Sequence, residues 1–389
     1  MLKVSNAIER FGTEGAFEVL AKVKELEAQG KKIIHFQIGE PDFDTPSNIK
    51  EATYRALKEG KTHYSHSLGI WELRSAISNY YKDHYGVNVD PNEVVVGVGG
   101  KSLILITILA LVDKGDEVVC PNPSYPAYES ILSYVGANVK FLSLKESKGF
   151  SFDIEELKSL VSDKTKLVII NNPQNPTGGI IPKEDLVELS KLSDKFGFYV
   201  FSDEIYDRIV YDSKFDSYLE LANRDRCIIL NGFSKTYAMT GWRLGWVIVP
   251  KFLVPTYQKL AINVYSCPPT FTQYGGIEAL TGPQDSVDIM VKEFKKRRDY
   301  VYNRINQIDR LSMIKPQGAF YAFVNITNTN LSSRQFFEKL LYEYNVAVLS
   351  GTAFGKYGEG YVRISYATSM ENLEEGLNRI EKMIYNIGK

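Results

Sequence analysis

Residues 227–250 read CIILNGFSKTYAMTGWRLGWVIVP. Cys227 to Phe233 is a short apolar, β-branched run bounded by polar residues, and Leu244 to Pro250 is another, so two buried strands flank a loop. Ser234 and Lys235 fall where the first strand ends, and that edge of an α/β sheet is where ligands bind. An amine held there out of bulk water can form an imine with a carbonyl. Arg243, further along the same loop, supplies a fixed cation of the kind that grips a phosphate. Taken singly, each is also what a solvated surface charge looks like.

Upstream, the same pattern repeats. EVVVGV, DEVVCP, NVKFLSL, KLVIINN and FYVFSDE add five apolar runs, making seven strands between about residues 93 and 250, most of them separated by helical periodicity. Alternation of this kind predicts a mostly parallel sheet covered by helices on both faces. Before it lie an amphipathic helix from Glu14 to Gln29, a strand KIIHFQIG, an extended acidic and proline-containing loop GEPDFDTP, a helix around Asn48 to Glu59, the polar loop GKTHYSHSLG and the helix IWELRSAISNYYKDHYG. After Pro250 the alternation stops. A charged helix runs from about Ser286 to Ile308, followed by strands GAFYAFVNI, VAVLSG and YVRISYA among helices. The expected fold is therefore α/β. A large domain (46–283) holds a seven-stranded, mostly parallel sheet between helices, and a smaller α+β domain is built from the two chain ends (1–45 and 284–389).

Composition narrows the function. With 46 Lys and Arg against 47 Asp and Glu, the net charge of −1 favours neither nucleic acid nor an anionic membrane over a small molecule. No apolar run approaches the ~20 residues of a membrane span, and MLKVSNAIERFG lacks the apolar core of a signal peptide. Cys120, Cys227 and Cys267 are odd in number and widely spaced, which fits buried thiols in a reducing cytoplasm. The four histidines form no ligand-spaced cluster, so no metal is expected, and His63 and His66 read as loop residues.

Several motifs fall at strand ends. In EVVVGVGGKS a strand meets a glycine turn and a helix, so the backbone donors of Gly100 and Lys101 offer an anion site. Tight packing alone also explains such a turn. GGKS resembles the end of a P-loop, with FYVFSDE as the magnesium-holding strand, but that loop needs a glycine where Val95 stands. Asp203 closes its strand, as a helix cap or as a carboxylate that keeps a ring nitrogen protonated; Tyr206 follows. NNPQNPTGG, Asn171 to Gly179, is explained as turn chemistry except for Asn175 at the same sheet edge. PNPSYPAY holds Tyr125 in a proline-stiffened turn suited to stacking on a flat ring.

Jointly and in this order, GEPDFDTP, NNPQNPTGG, SDEIY, SKTYAMTGWRLGW, GAFYAF and GKYGEGYVRISYA resemble the pyridoxal-phosphate-dependent aminotransferases of fold type I, class I/II, over essentially the whole chain. That resemblance implies pyridoxal 5'-phosphate as cofactor. Lys235 would bind it covalently and later shuttle the proton. Asp203 would hold the pyridine nitrogen, and Tyr206 and Asn175 would bond its 3-hydroxyl. Gly100, Lys101, Ser234 and Arg243 would hold the phosphate, while Tyr125 would stack on the ring. Tyr64 would reach the phosphate from the neighbouring subunit, which implies a homodimer with shared active sites. Arg363 would clamp the substrate carboxylate, with Gly39 and Asn175 near it.

Two positions depart from the family pattern. Ser350-Gly351 replaces the commoner Pro-Gly, and only a local turn change is expected. Ile262 stands near the position from which one aspartate-specific branch sends an arginine into the neighbouring site. Another branch with a GGK turn uses the lysine side chain, here Lys101, for the distal carboxylate. The resemblance thus points to aspartate or glutamate with 2-oxoglutarate. An aromatic or broad-specificity enzyme, including the kynurenine type, is the alternative, and a pyridoxal-phosphate lyase a more distant one. A DNA-binding regulator built on this fold would need a helix-turn-helix segment for which there is no room before Gly39.

Overall fold

In the computed structural model residues 4–387 are described; residues 1–3 and 388–389, at the outer ends of the 1–45 and 284–389 segments, lie outside the described residues. In chain order the strands are β1 Ile34–His35, β2 Val94–Gly97, β3 Glu117–Asn122, β4 Asn138–Ser143, β5 Thr165–Asn171, β6 Tyr199–Asp203, β7 Cys227–Gly232, β8 Gly245–Ile248, β9 Tyr321–Asn325, β10 Val346–Ala347, β11 Leu349–Ser350 and β12 Tyr361–Ser365. All seven strands expected between residues 93 and 250 form, and they pair into one sheet in the order β2-β8-β7-β6-β5-β3-β4.

The sheet is parallel except at β8, which runs antiparallel to both β2 and β7. Local chain length explains the exception. Helices Gly99–Leu111, Pro126–Val135, Ile154–Leu160 and Lys183–Phe196 supply crossovers that return the chain to the starting edge. The short stretch 233–244 holds no α-helix and turns straight back. Every residue of β2, β7 and β8 is buried. That is why these strands read as unbroken apolar runs and not as alternation. Val95, Ile169, Phe201, Ile228 and Val247 feed the core on one face, and Val96, Ile170, Val200, Ile229 and Trp246 feed the other.

A second sheet, β11-β12-β9, is antiparallel throughout. The expected strand KIIHFQIG contracts to two residues, with Ile34 opposite Val346 and His35 opposite Ala347 in a parallel pair. Phe36 then bridges two elements, its N–H donating to Ala347 and its carbonyl accepting from the Ser365 N–H, both at 2.8 Å. The chain then leaves the strand through a bend at Gln37 and runs on irregularly through Gly39. Helices Gly15–Ala28, Ser47–Lys58, Trp71–Tyr85 and Asp285–Ile305 fall where the periodicity puts them.

Candidate active site

The ends of β6 and β7 and the loop after β7 face β12, and most of the residues singled out in the sequence meet there. Lys235, in the loop after β7, is partly buried, and its Nζ donates to the Gly39 carbonyl at 2.6 Å. Burial pushes this amine down to about 8; Arg363 and Arg243 add to the fall, and Glu40 and Glu14 oppose it. Asp203 closes β6 with 4% exposure. Its carboxylate accepts the Tyr128 hydroxyl and, at 3.2 Å, the Ile205 N–H. Burial pushes its carboxyl up to about 6, against those two hydrogen bonds and the nearby Lys235 charge. A buried acid at this height stays ionised only while a cation or donors face it.

Arg363 lies on β12, the middle strand of its sheet, with 3% exposure. The guanidinium is stacked between Tyr321, 4.3 Å from the ring centroid, and Phe354, at 4.9 Å. Nη1 donates to Asn175 Oδ1 at 2.9 Å and Nη2 to the Gln37 carbonyl at 2.7 Å. Nε has no partner, and among the described residues no carboxylate forms a salt bridge with this cation. An arginine presents five donors in a planar fork, so two neutral acceptors leave it set to take an anion. Burial lowers its pKa, opposed by Tyr321 and Tyr206. Tyr206 is buried and shares a 2.8 Å hydroxyl–hydroxyl bond with Tyr321. Gly39 is required by that tyrosine: a Cβ there would sit 2.5 Å from the Tyr321 hydroxyl.

A third group lies at the start of helix Gly99–Leu111. Its N-cap, Val98, offers no side-chain acceptor to the first-turn N–H groups, so the donors of Gly100 and Lys101 stay open to an anion. Arg243 holds left-handed backbone, with its Nη1 on the Thr240 carbonyl at 2.6 Å. Its guanidinium passes so close to Gly99 that a Cβ there would come within 2.5 Å of Nη2. Gly99 itself has a φ of 76°, so the glycine turn is needed both for backbone and for approach. Ser234 precedes Lys235 and is partly buried.

Two of the expected residues have side chains open to solvent within one copy of the chain. Tyr64 is 89% exposed, so within one copy of the chain its ring faces solvent. Lys101 also has a half-exposed side chain and is ion-paired with Glu14. Tyr125 sits beside it, its ring centroid 5.9 Å from the Lys101 ammonium, and packs edge-on against Tyr128 at 5.6 Å. Ser350-Gly351 opens a 3-10 helix, Gly351–Phe354, as a local turn. Tyr128, Gln37, Tyr321, Phe354 and Glu14 were not singled out from the sequence. Tyr128 and Tyr321 stand inside quoted motifs, PNPSYPAY and GAFYAF; Gln37 and Phe354 contribute a carbonyl and a ring face, which leave no pattern in sequence.

A cofactor with a phosphate, a basic ring nitrogen and an aldehyde fits these residues. The open N–H groups beside Arg243 match the phosphate, buried Asp203 matches a ring cation, and the depressed amine of Lys235 matches the aldehyde. The orphaned donor of Arg363 matches a carboxylate on the substrate. Fold and site together define an enzyme that handles amines at a strand-end lysine. Comparison with known proteins gives the family. The family model for aminotransferase class I and II matches residues 31–380. A probable aspartate aminotransferase of Methanocaldococcus jannaschii is 43% identical over 90% of this chain and 93% of its own length. Aromatic-amino-acid aminotransferase 2 of Thermococcus litoralis is 41% identical over 92% and 93%. Among solved structures, aspartate aminotransferase from Thermus thermophilus with maleate superposes with a TM-score of 0.95 at 34% identity, covering 98% of this chain and all of that one. The chain belongs to the class I and II aminotransferases and is a transaminase.

The depressed amine can be tested directly. In cofactor-free protein, acylation of Lys235 by an amine reagent should follow a titration with its midpoint near pH 8, because only the unprotonated amine reacts and burial lowers the pKa. Quantitative peptide mapping across pH reads it. A midpoint above pH 10 would mean that the amine is solvated.

Proposed function

We propose that this transaminase carries pyridoxal 5'-phosphate on Lys235 and moves amino groups between an acidic L-amino acid, aspartate or glutamate, and 2-oxoglutarate. The observation that carries the reading is the placing of Lys235 between two buried groups of opposite charge, Asp203 and an Arg363 that lacks a carboxylate partner. When bound, the cofactor supplies an aldehyde that condenses with amines and a ring that withdraws electrons from the substrate Cα.

The protein's own groups divide the remaining work. Gly100 and Lys101 N–H groups, Ser234 and Arg243 bind the phosphate. Asp203 holds the proton on the ring nitrogen, its own carboxylate kept in place by Tyr128. Tyr206 and Asn175 would bond the 3-hydroxyl, and Tyr125 would stack on the ring. Arg363 binds the substrate α-carboxylate through its fork and so fixes the direction of the Cα–H bond. Lys235, as a free amine with its pKa near 8, takes the Cα proton and returns it; a base poised near the working pH is the efficient case. Its bond to the Gly39 carbonyl keeps the amine aimed into the site.

The assembly belongs to the same reading. Tyr64, exposed within one copy, would meet the phosphate of a second, in a homodimer with shared sites. The units 1–45 with 284–389 and 46–283 would form the small and large domains, supported by the pairing of residues 34–35 with 346–347. A cytoplasmic setting is supported by three free cysteines. Among the described residues no helix is long and apolar enough to cross a membrane.

Lys101 is assigned to the distal carboxylate of acidic substrates. Because the ammonium is half exposed, the effect is smaller than for a sealed ion pair. Lys101→Ala should lower kcat/KM for aspartate and glutamate about fivefold more than for phenylalanine and tyrosine. Screening purified protein with single amino donors against 2-oxoglutarate tests both the variant and the assignment. An aromatic donor preferred by the unaltered protein would favour the aromatic or kynurenine-type reading, the second supported by relatives such as the Thermococcus litoralis enzyme. Ammonia released without a 2-oxo acid would indicate a lyase.

A further inference from the structure

One carboxylate at the mouth of the site has no part in the roles above. Glu14 is the N-cap of helix Gly15–Ala28, yet its side chain caps none of that helix's N–H groups. It turns away and pairs with the Lys101 ammonium, at 17% side-chain exposure against 49% for the lysine. The same ammonium lies 5.5 Å from the Phe17 ring centroid and 5.9 Å from that of Tyr125. Glutamate is a poor helix N-cap in any case, so local structure gives no reason for the residue.

The placement of Glu14 is built by the segment before it. Arg10 donates through Nε and Nη2 to the carbonyls of Ser133 and Tyr134, each at 3.0 Å. Ser130 Oγ donates to the Gly12 carbonyl at 3.0 Å, and Phe11 packs edge-on against Tyr134 at 5.3 Å. These contacts strap residues 10–12 along helix Pro126–Val135, whose N-cap is Tyr125. The strap therefore delivers Glu14 to the end of the helix where Tyr125 and Lys101 stand. The reach of its charge extends inward: it opposes the fall in the Arg363 and Lys235 pKa values, and after burial it is the next cause of the raised Tyr125 phenol.

The acidic substrates proposed above carry a distal carboxylate, whereas the aromatic donors of the alternative reading present a neutral side chain to the same end of the site. A lone cation there would bind a distal carboxylate without competition, whereas an internal carboxylate has to be displaced first, which narrows the difference in affinity between a dicarboxylate and a neutral ligand. We propose that Glu14 is an internal counter-anion for Lys101 that stands in for the distal carboxylate of an acidic substrate. Neutral side chains bind with the Glu14–Lys101 pair intact, whereas a dicarboxylate displaces Glu14 from the ammonium. Glu14 is thus a specificity residue that lowers the preference for dicarboxylates. The inference rests on the transaminase reading with Lys101 at the substrate's distal end.

Glu14→Gln keeps the shape and removes the charge. In protein loaded with pyridoxal phosphate, calorimetric binding of glutarate and of 3-phenylpropionate gives the ratio of their dissociation constants. The ratio should shift about two- to fivefold toward glutarate in Glu14→Gln, the range of a partly exposed ion pair. In a Lys101→Met background the same substitution should lose this effect, since the two charges act as a pair. If Glu14→Gln does not fold, Glu14→Asp, shorter by one methylene, should move the ratio the same way by less. An unchanged ratio, or a shift away from glutarate, would overturn the proposal while leaving the transaminase reading intact. Failure of both ligands to bind the unaltered protein would overturn that reading and the proposal with it.

Discussion

Alanine at position 235 is expected to lower kcat/KM for transamination by on the order of 10⁴-fold, the upper range for loss of a positioned acid–base group. The side chain donates to the Gly39 carbonyl and feels the charge of Arg363, and its depressed pKa makes it a base at working pH. Folding should survive the change, because Lys235 contributes one hydrogen bond to the Gly39 segment and its removal relieves a desolvated charge. The checks are steady-state kinetics with a thermal melt, then addition of a small primary amine. Partial recovery of proton transfer by the free amine is the expected signature. Near-native turnover in Lys235→Ala would show that the base lies elsewhere.

Asp203→Asn is expected to lower kcat by about 10²–10³-fold, the usual cost of removing one preorganised electrostatic partner. Asparagine retains an oxygen that can accept the Tyr128 hydroxyl and the Ile205 N–H, so the pocket keeps its shape and loses only its charge. On the proposed reading, what disappears is the anion that would hold the ring nitrogen protonated, and with it the electron-withdrawing power the ring would supply. The loss should appear in both half-reactions measured by stopped-flow. If Asp203→Asn turns over normally, Asp203 is merely a cap for the turn that follows β6.

The sheet was legible because most of its strands are buried on both faces, the edge strand β4 being the half-exposed exception. CIILNGF and EVVVGV carry no alternation to confuse with a helix, and the intervening helices spell out the crossovers. Lys235, Asp203 and Asn175 stood out in the sequence because each falls at a strand end or inside a turn motif whose chemistry plain packing does not explain; Arg363, in the middle of β12, was indicated only by the resemblance to the family. The reduction of KIIHFQIG to a two-residue strand was not, since it depends on Phe36 bridging Ala347 and Ser365, partners more than 300 residues away. Nor was the engagement of Lys101. In sequence, Glu14 opens an amphipathic helix, and only the strap from Arg10 to Ser133 and Tyr134 turns it toward the site. Tyr128 shows an intermediate case. It was visible in PNPSYPAY, but its service to Asp203 requires knowing that helix Pro126–Val135 lies against β6.

The central claim is that Lys235 carries the cofactor, and borohydride tests it most directly. Reduction of the loaded protein converts an imine into a stable secondary amine, and peptide mapping then locates the pyridoxyl group. The label is expected on the peptide containing Ser234, Lys235 and Thr236, specifically on the Lys235 amine. A label on another lysine, or protein that takes up no pyridoxal phosphate, would contradict it.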